Sequence, residues 1–162
     1  MTTYKFITYW NVNVPVEKVW EVIKDVRKWP EWWRGVLNVE ELKKGSDNNH
    51  GARFAHTWQS FLPYKLKFET EITEVVLHRS ITANVTGELE GTGRWEFRDE
   101  GNRHTTVVYH WHVLTTMTWM NITAPLLSGA FRWNHDTVMR WGVEGLARKL
   151  NCRVKFSSEW IH

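Results

Sequence analysis

Apolar residues recur along this chain with two different periods, and the places where one period gives way to the other outline its elements. From Val12 to Trp33 the sequence runs VNVPVEKVWEVIKDVRKWPEWW. Val16, Val19, Trp20 and Ile23 fall at i, i+3, i+4 and i+7, one face of a helix, while Glu17, Lys18, Glu21 and Lys24 take the other face. Pro15 suits the first helical turn, where its missing N–H costs nothing. Trp29-Pro30 stops that helix before a second short turn carrying Trp32 and Trp33. The pattern therefore predicts a strand over Tyr4 to Val14 that runs into two short helices.

Past Trp33 the period becomes two. Phe54, His56, Trp58 and Ser60 share one strand face, and Leu66, Phe68, Thr70 and Ile72 share the next, opposite Lys65, Lys67, Glu69 and Glu71. Ile81, Ala83 and Val85 form a third inward set, Trp95 and Phe97 a fourth, and Val107, Tyr109, Trp111 and Val113 a fifth. Turn-rich segments such as 44–51 and 99–103 punctuate them. With Tyr4 to Val14 and Gly35 to Leu42 the count is about seven strands. Thr123-Ala124-Pro125 then reads as a helix start, and helical spacing continues to about Leu150, with Leu127, Phe131, Val138, Trp141, Leu146 and Leu150 on the buried stripe. Asn134 and His135 fall where the stripe calls for apolar side chains. Gly129, Gly142 and Gly145 each weaken the helix by about 1 kcal/mol relative to Ala and leave space against whatever it faces. Residues 153–162 read as a C-terminal tail carrying Trp160.

Composition changes this picture in one respect. The 12 tryptophans stand against the two or three that general usage would give, about a fourfold excess. Each can bury about 150–250 Å², either as bulky core or as the wall of a void that suits planar, apolar ligands. The 162 residues make one domain, able to bury roughly 70% of the surface its unfolded form exposes. Against 18 acidic residues stand 21 basic ones, alternating in sign instead of forming a stripe, so no nucleic-acid partner is expected. Cys152 is the only cysteine, which rules out an intramolecular disulfide and a cysteine-based metal site. No signal-like or membrane-spanning apolar run is visible, and a cytoplasmic protein without an integral membrane segment is expected. Gly91-x-Gly93 lacks the third glycine of a nucleotide fingerprint and reads as room for a bend or a cavity.

The order of strand, two short helices, further strands and a long C-terminal helix resembles the helix-grip fold of the START-like superfamily. The opening VPVEKVWEVIKDVRKWPEWW is similar to that superfamily's strand-Pro-helix beginning with its Asp-x-x-x-Trp-Pro-x-Trp turn. The segment FRWNHDTVMRWGVEGLARKL is similar to the C-terminal helix of the polyketide cyclase/dehydrase and lipid-transport branch, so the resemblance spans Tyr4 to Leu150. It implies an α+β fold in which a curved antiparallel sheet wraps around the long helix, with residues 1–152 as a single ligand-binding domain. A cavity between sheet and helix, partly covered by the short helices, also follows from the resemblance. The inward faces read above would place Trp33, His56, Trp58, Phe68, Trp95, Tyr109, Trp111, Asn134, His135, Val138 and Trp141 around it.

Three functions fit these residues. The first is a binding module for a small hydrophobic or aromatic molecule, lipid or polyketide-like, working as monomer or homodimer without a cofactor. The second is a polyketide cyclase or dehydratase using the same cavity, with His56, Tyr109 and His135 as proton-transfer candidates. His56 is preferred among them because an ordinary imidazole titrates near about 6.5. The third is an interaction module of the kind co-chaperone relatives use. A metal site is not expected, because His110 and His112 share the strand face opposite Tyr109 and Trp111 and so point to water if the aromatic residues point inward.

Overall fold

The first strand, β1 (Thr3–Val12), alternates as its sequence demands, with Tyr4, Phe6, Thr8, Trp10 and Val12 buried and Thr3, Lys5 and Asn11 exposed. The computed structural model describes residues 2–161; Met1 and His162, the outer ends of the expected domain and tail, lie outside the described residues. Pro15 leads into α1 (Val16–Lys24), which buries Val16, Val19, Trp20 and Ile23 as the periodicity predicts. A short 3₁₀ turn over Val26–Lys28 then leads into α2 (Trp29–Trp32), with Pro30 in its first turn. The two short helices are tied together where the Trp29 indole N–H donates to the carbonyl of Ile23 at 2.9 Å.

The remaining strands are β2 (Val36–Lys43), β3 (Arg53–Trp58), β4 (Leu66–Val76), β5 (Ser80–Gly87), β6 (Leu89–Gly101), β7 (His104–Thr115) and β8 (Val154–Ile161). They form one sheet in the order β2-β3-β4-β5-β6-β7-β1-β8, with every neighbouring pair antiparallel. The curved sheet and the long helix α3 (Thr118–Leu150) make the helix-grip fold. One strand more than the expected seven is present, because the segment read as a tail pairs with β1. Its side chains alternate, with Val154, Phe156, Ser158 and Trp160 half-buried and Lys155, Ser157, Glu159 and Ile161 exposed. The Arg132 and Arg140 guanidinium groups of α3 lie over the Trp160 and Phe156 rings at 5.3 and 5.2 Å. Those tertiary contacts hold a strand whose own sequence is only half apolar.

α3 also departs from the sequence reading. It begins at Thr118, more than a turn before Thr123-Ala124-Pro125, so Pro125 sits inside the helix and removes the bond to the carbonyl four residues back. The extra turn is held by burial of Met120 and Ala124 and by side chains that serve the backbone. The Thr115 hydroxyl accepts the Met117 N–H at 3.1 Å, and the Asn121 amide donates to the Thr115 carbonyl at 3.0 Å. Leu127, expected on the buried stripe, is 40% exposed, while Phe131, Val138 and Leu146 are buried. In the second half the helix closes directly on the tryptophans. A Cβ at Gly142 would lie 2.5 Å from the Trp33 ring and 2.8 Å from that of Trp10, so only glycine allows this approach. Among the described residues no helix is long and apolar enough to cross a membrane.

Candidate functional site

The concave face of the sheet and the first two-thirds of α3 leave a cavity of about 110 Å³. β1 contributes Tyr4 and Phe6, β3 and β4 contribute Trp58, Leu66 and Phe68, and β6 and β7 contribute Leu89, Tyr109, Trp111 and Val113. Met120, Phe131, Asn134, His135, Val138 and Met139 come from α3, and Gln59, Ser60, Leu62 and Tyr64 from the β3–β4 connection. Among the described residues no Lys, Arg, Asp or Glu lines it. A second void of about 40 Å³ lies behind Trp58, Phe68, Tyr109 and Trp111, towards Trp29, His56 and Trp95. Gly93 borders this space and lets the rings approach its strand, since a Cβ there would lie 2.9 Å from the Trp111 ring and 3.2 Å from the Tyr109 hydroxyl.

The walls are stacked rings. Trp95 lies on Tyr109 with centroids 4.1 Å apart, Tyr109 on Trp111 at 5.6 Å, and Trp111 meets Phe68 at 5.7 Å. Side chains two apart on one strand, or across from one another on neighbouring strands, share a face, so the period-two pattern of β6 and β7 builds this ladder directly.

Trp58, Phe68, Tyr109, Trp111, Asn134, His135 and Val138 line the larger cavity, and His56 and Trp95 line the smaller one. Two expected residues lie elsewhere. Trp33 is 1% exposed and packs at the centre of a tryptophan cluster, 5.2 Å from Trp10, 5.2 Å from Trp29 and 5.0 Å from Trp58 between ring centroids. Its indole N–H donates to the Val138 carbonyl at 2.8 Å, which pins the short helices to α3. Trp141 is half-buried outside both cavities, with the Arg34 guanidinium 4.1 Å above its ring and Phe61 edge-on at 4.9 Å. Tyr4 and Phe6 were not legible as lining residues, because knowing that β1 lies between β7 and β8 requires the sheet order.

The three proton-transfer candidates differ in environment. His56 has both ring nitrogens occupied, one 2.9 Å from the Thr70 hydroxyl and the other accepting the Trp58 indole N–H at 3.3 Å. Burial drives its pKa down to about 3. The expectation that His56 would be the preferred acid or base therefore meets a neutral imidazole committed on both sides. Burial holds the Tyr109 hydroxyl far above the ordinary phenol range. His135 stacks on Phe6 at 4.1 Å and has neither nitrogen hydrogen-bonded among the described residues. The Asp136 carboxylate approaches its Nδ1 only to 3.6 Å, and burial outweighs that neighbour and lowers the His135 pKa.

His110 lies outside the cavity with Nε2 3.2 Å from Glu96. Among the described residues no three His, Cys, Asp or Glu side chains are grouped to hold a metal ion.

A curved sheet gripping a C-terminal helix around an aromatic-walled cavity defines a START-like protein. The chain belongs to the polyketide cyclase / dehydrase and lipid transport family, whose model matches residues 12–154. Its fold is similar to that of the Zhui aromatase/cyclase from Streptomyces, with 15% identity, 91% of this chain and 96% of that one covered, and a TM-score of 0.71. A START superfamily protein from Mycobacterium smegmatis gives 12% identity, 88% and 99% coverage and a TM-score of 0.67. A conserved protein from Geobacillus kaustophilus gives 13% identity, 93% and 98% coverage and a TM-score of 0.68. At these identities the likeness is one of fold. No curated protein matches the chain in sequence.

Proposed function

We propose that this protein binds a small, flat, apolar or aromatic molecule in the cavity between the sheet and α3. The observation that carries the reading is an uncharged void of about 110 Å³ walled by Trp58, Phe68, Tyr109 and Trp111, beside a closely packed cluster of Trp10, Trp29 and Trp33. A dry apolar void of about 150 Å³ accepts benzene, so the smaller space here sets a single ring as the upper limit unless the walls give. Larger molecules require the β3–β4 connection and the first half of α3 to part.

Thermal melting in the presence of one-, two- and three-ring hydrocarbons tests this. A ligand at 100 times its Kd stabilises the native state by about 2.7 kcal/mol, which raises the melting temperature by roughly 5–10 °C in a domain of this size. Val138→Phe, which fills the cavity from α3, should abolish the shift while the free protein still melts cooperatively. No shift with any compound, or an undiminished shift in Val138→Phe, would remove the binding reading.

A second reading, a cyclase or dehydratase working in the same cavity, is supported by family membership and by His135, an imidazole in the wall whose Nε2 has no hydrogen-bond partner among the described residues and whose Nδ1 faces the Asp136 carboxylate at 3.6 Å. The likeness in fold to the Streptomyces aromatase/cyclase points the same way. If a poly-β-keto substrate is turned over, His135→Ala should lower the rate by about a hundredfold, and His56→Ala far less.

A further inference from the structure

The cavity is not uniformly apolar. On the wall made by β1 and α3 the Tyr4 hydroxyl, the Asn134 Oδ1 and both His135 nitrogens are buried and have no hydrogen-bond partner among the described residues. They are neighbours: Tyr4 lies 6.0 Å from Phe6 between ring centroids, Phe6 stacks on His135 at 4.1 Å, and Tyr4 meets Phe131, one turn before His135, at 6.1 Å. A buried polar atom without a partner is costly, and four such atoms on side chains that line one void form a set that a ligand group entering it can complete.

The chemistry of the set defines that group. A neutral imidazole presents one N–H and one lone pair, the Tyr4 hydroxyl can donate or accept, and the Asn134 oxygen accepts. None of these groups carries charge, and no cation lines the cavity. The nearest charge behind the wall is the Asp136 carboxylate, 3.6 Å from His135 Nδ1. A carboxylate ligand would lose its hydration without gaining a counter-charge and would meet Asp136 across the imidazole. A hydroxyl both donates and accepts, which satisfies the Asn134 oxygen together with a donor from Tyr4 or His135.

Building on the binding reading above, we infer that Tyr4, Asn134 and His135 form a neutral polar subsite that selects a ring bearing a hydroxyl and rejects the corresponding acid. Toluene, p-cresol and p-toluate share a tolyl ring and carry hydrogen, hydroxyl and carboxylate at the para position, so toluene against p-cresol isolates the hydroxyl and p-toluate adds the test of charge. Binding is followed by the indole N–H resonances of Trp58 and Trp111 in ¹H–¹⁵N spectra. The wild-type protein should bind p-cresol about tenfold more tightly than toluene and p-toluate more weakly than either. Tyr4→Phe and Asn134→Leu should each bring the ratio of p-cresol to toluene affinity down towards one, whereas Gly129→Ala, away from the cavity, should leave that ratio as in the wild type. Toluene and p-cresol binding alike, or p-toluate binding most tightly, would overturn the subsite and leave the binding reading standing. Failure of all three probes to bind would remove both.

Discussion

His56 is buried and His135 half-buried with both ring nitrogens out of solvent, yet only His56 has its hydrogen bonds made. That difference separates a structural histidine from one available to a ligand, and it has a consequence in pH. The folded pKa of His56 is about 3, below the unfolded value of about 6.5. Above pH 6.5 both states are neutral there and the residue adds no penalty. Below it the unfolded chain takes up a proton that the native state refuses, so stability falls with pH until about 3. The slope for one such group is about 1.4 kcal/mol per pH unit, and His135, also lowered, adds to it. Urea denaturation of wild type and His56→Gln between pH 7 and pH 4.5 should therefore give curves that converge on acidification, the wild type losing more. Parallel curves would mean that His56 titrates normally in the fold. The inward phase of His56 was legible in the alternation of β3. Its partners were not, because Thr70 lies on β4 and only the register that sets His56 across from Phe68 brings that hydroxyl to the ring.

At the scale of elements α3 carries two different environments on one helix. Its second half packs on the tryptophan cluster, while its first half leaves Ile122 72%, Leu126 88% and Trp133 51% exposed. The same substitution should therefore have opposite signs along its length. Gly142→Ala gains about 1 kcal/mol of helix propensity but drives a methyl into the Trp33 and Trp10 rings, which are 1% exposed and have no room to retreat, for a net loss of about 1–3 kcal/mol. Gly129→Ala meets nothing within 4 Å and should stabilise by up to about 1 kcal/mol. Chemical denaturation of the two variants decides, and a shared sign would show that packing does not control this helix. The glycines announced close packing in the sequence, and two of the three deliver it. The helix start was misread because Pro125 is a strong local signal for a first turn, whereas Met120 and Ala124 extend the helix through contacts that no local pattern reveals.

For the molecule as a whole, β8 links the two ends of the chain across the site. It lies along β1 from Lys5 to Val12, with Trp160 opposite Phe6 and Phe156 opposite Trp10, and β1 in turn carries the Tyr4 and Phe6 side chains that line the cavity. On α3, Arg132 and Arg140 reach the Trp160 and Phe156 rings, and against the opposing effect of burial His135 first, then Ser158 and Arg132, hold the Asp136 carboxylate below its ordinary range. The backbone pattern was present in the sequence as a period of two, but four of its eight positions are Lys, Ser, Ser and Glu, which is why it read as a tail. Removing residues 153–162 should bare the β1 edge and the faces of Phe6 and Trp10, costing about 3 kcal/mol or more, equivalent to a fall of roughly 10 °C in melting temperature. An uncovered strand edge also invites pairing between molecules, so the truncated protein should elute from size exclusion as larger species. Trp160→Ala, which keeps the backbone pairing, should lower the melting temperature by less and leave the elution unchanged. If the truncated chain melts and elutes like the full one, residues 1–152 are self-sufficient and β8 is dispensable; if it loses stability and p-cresol binding together, the last strand is part of the scaffold that shapes the cavity.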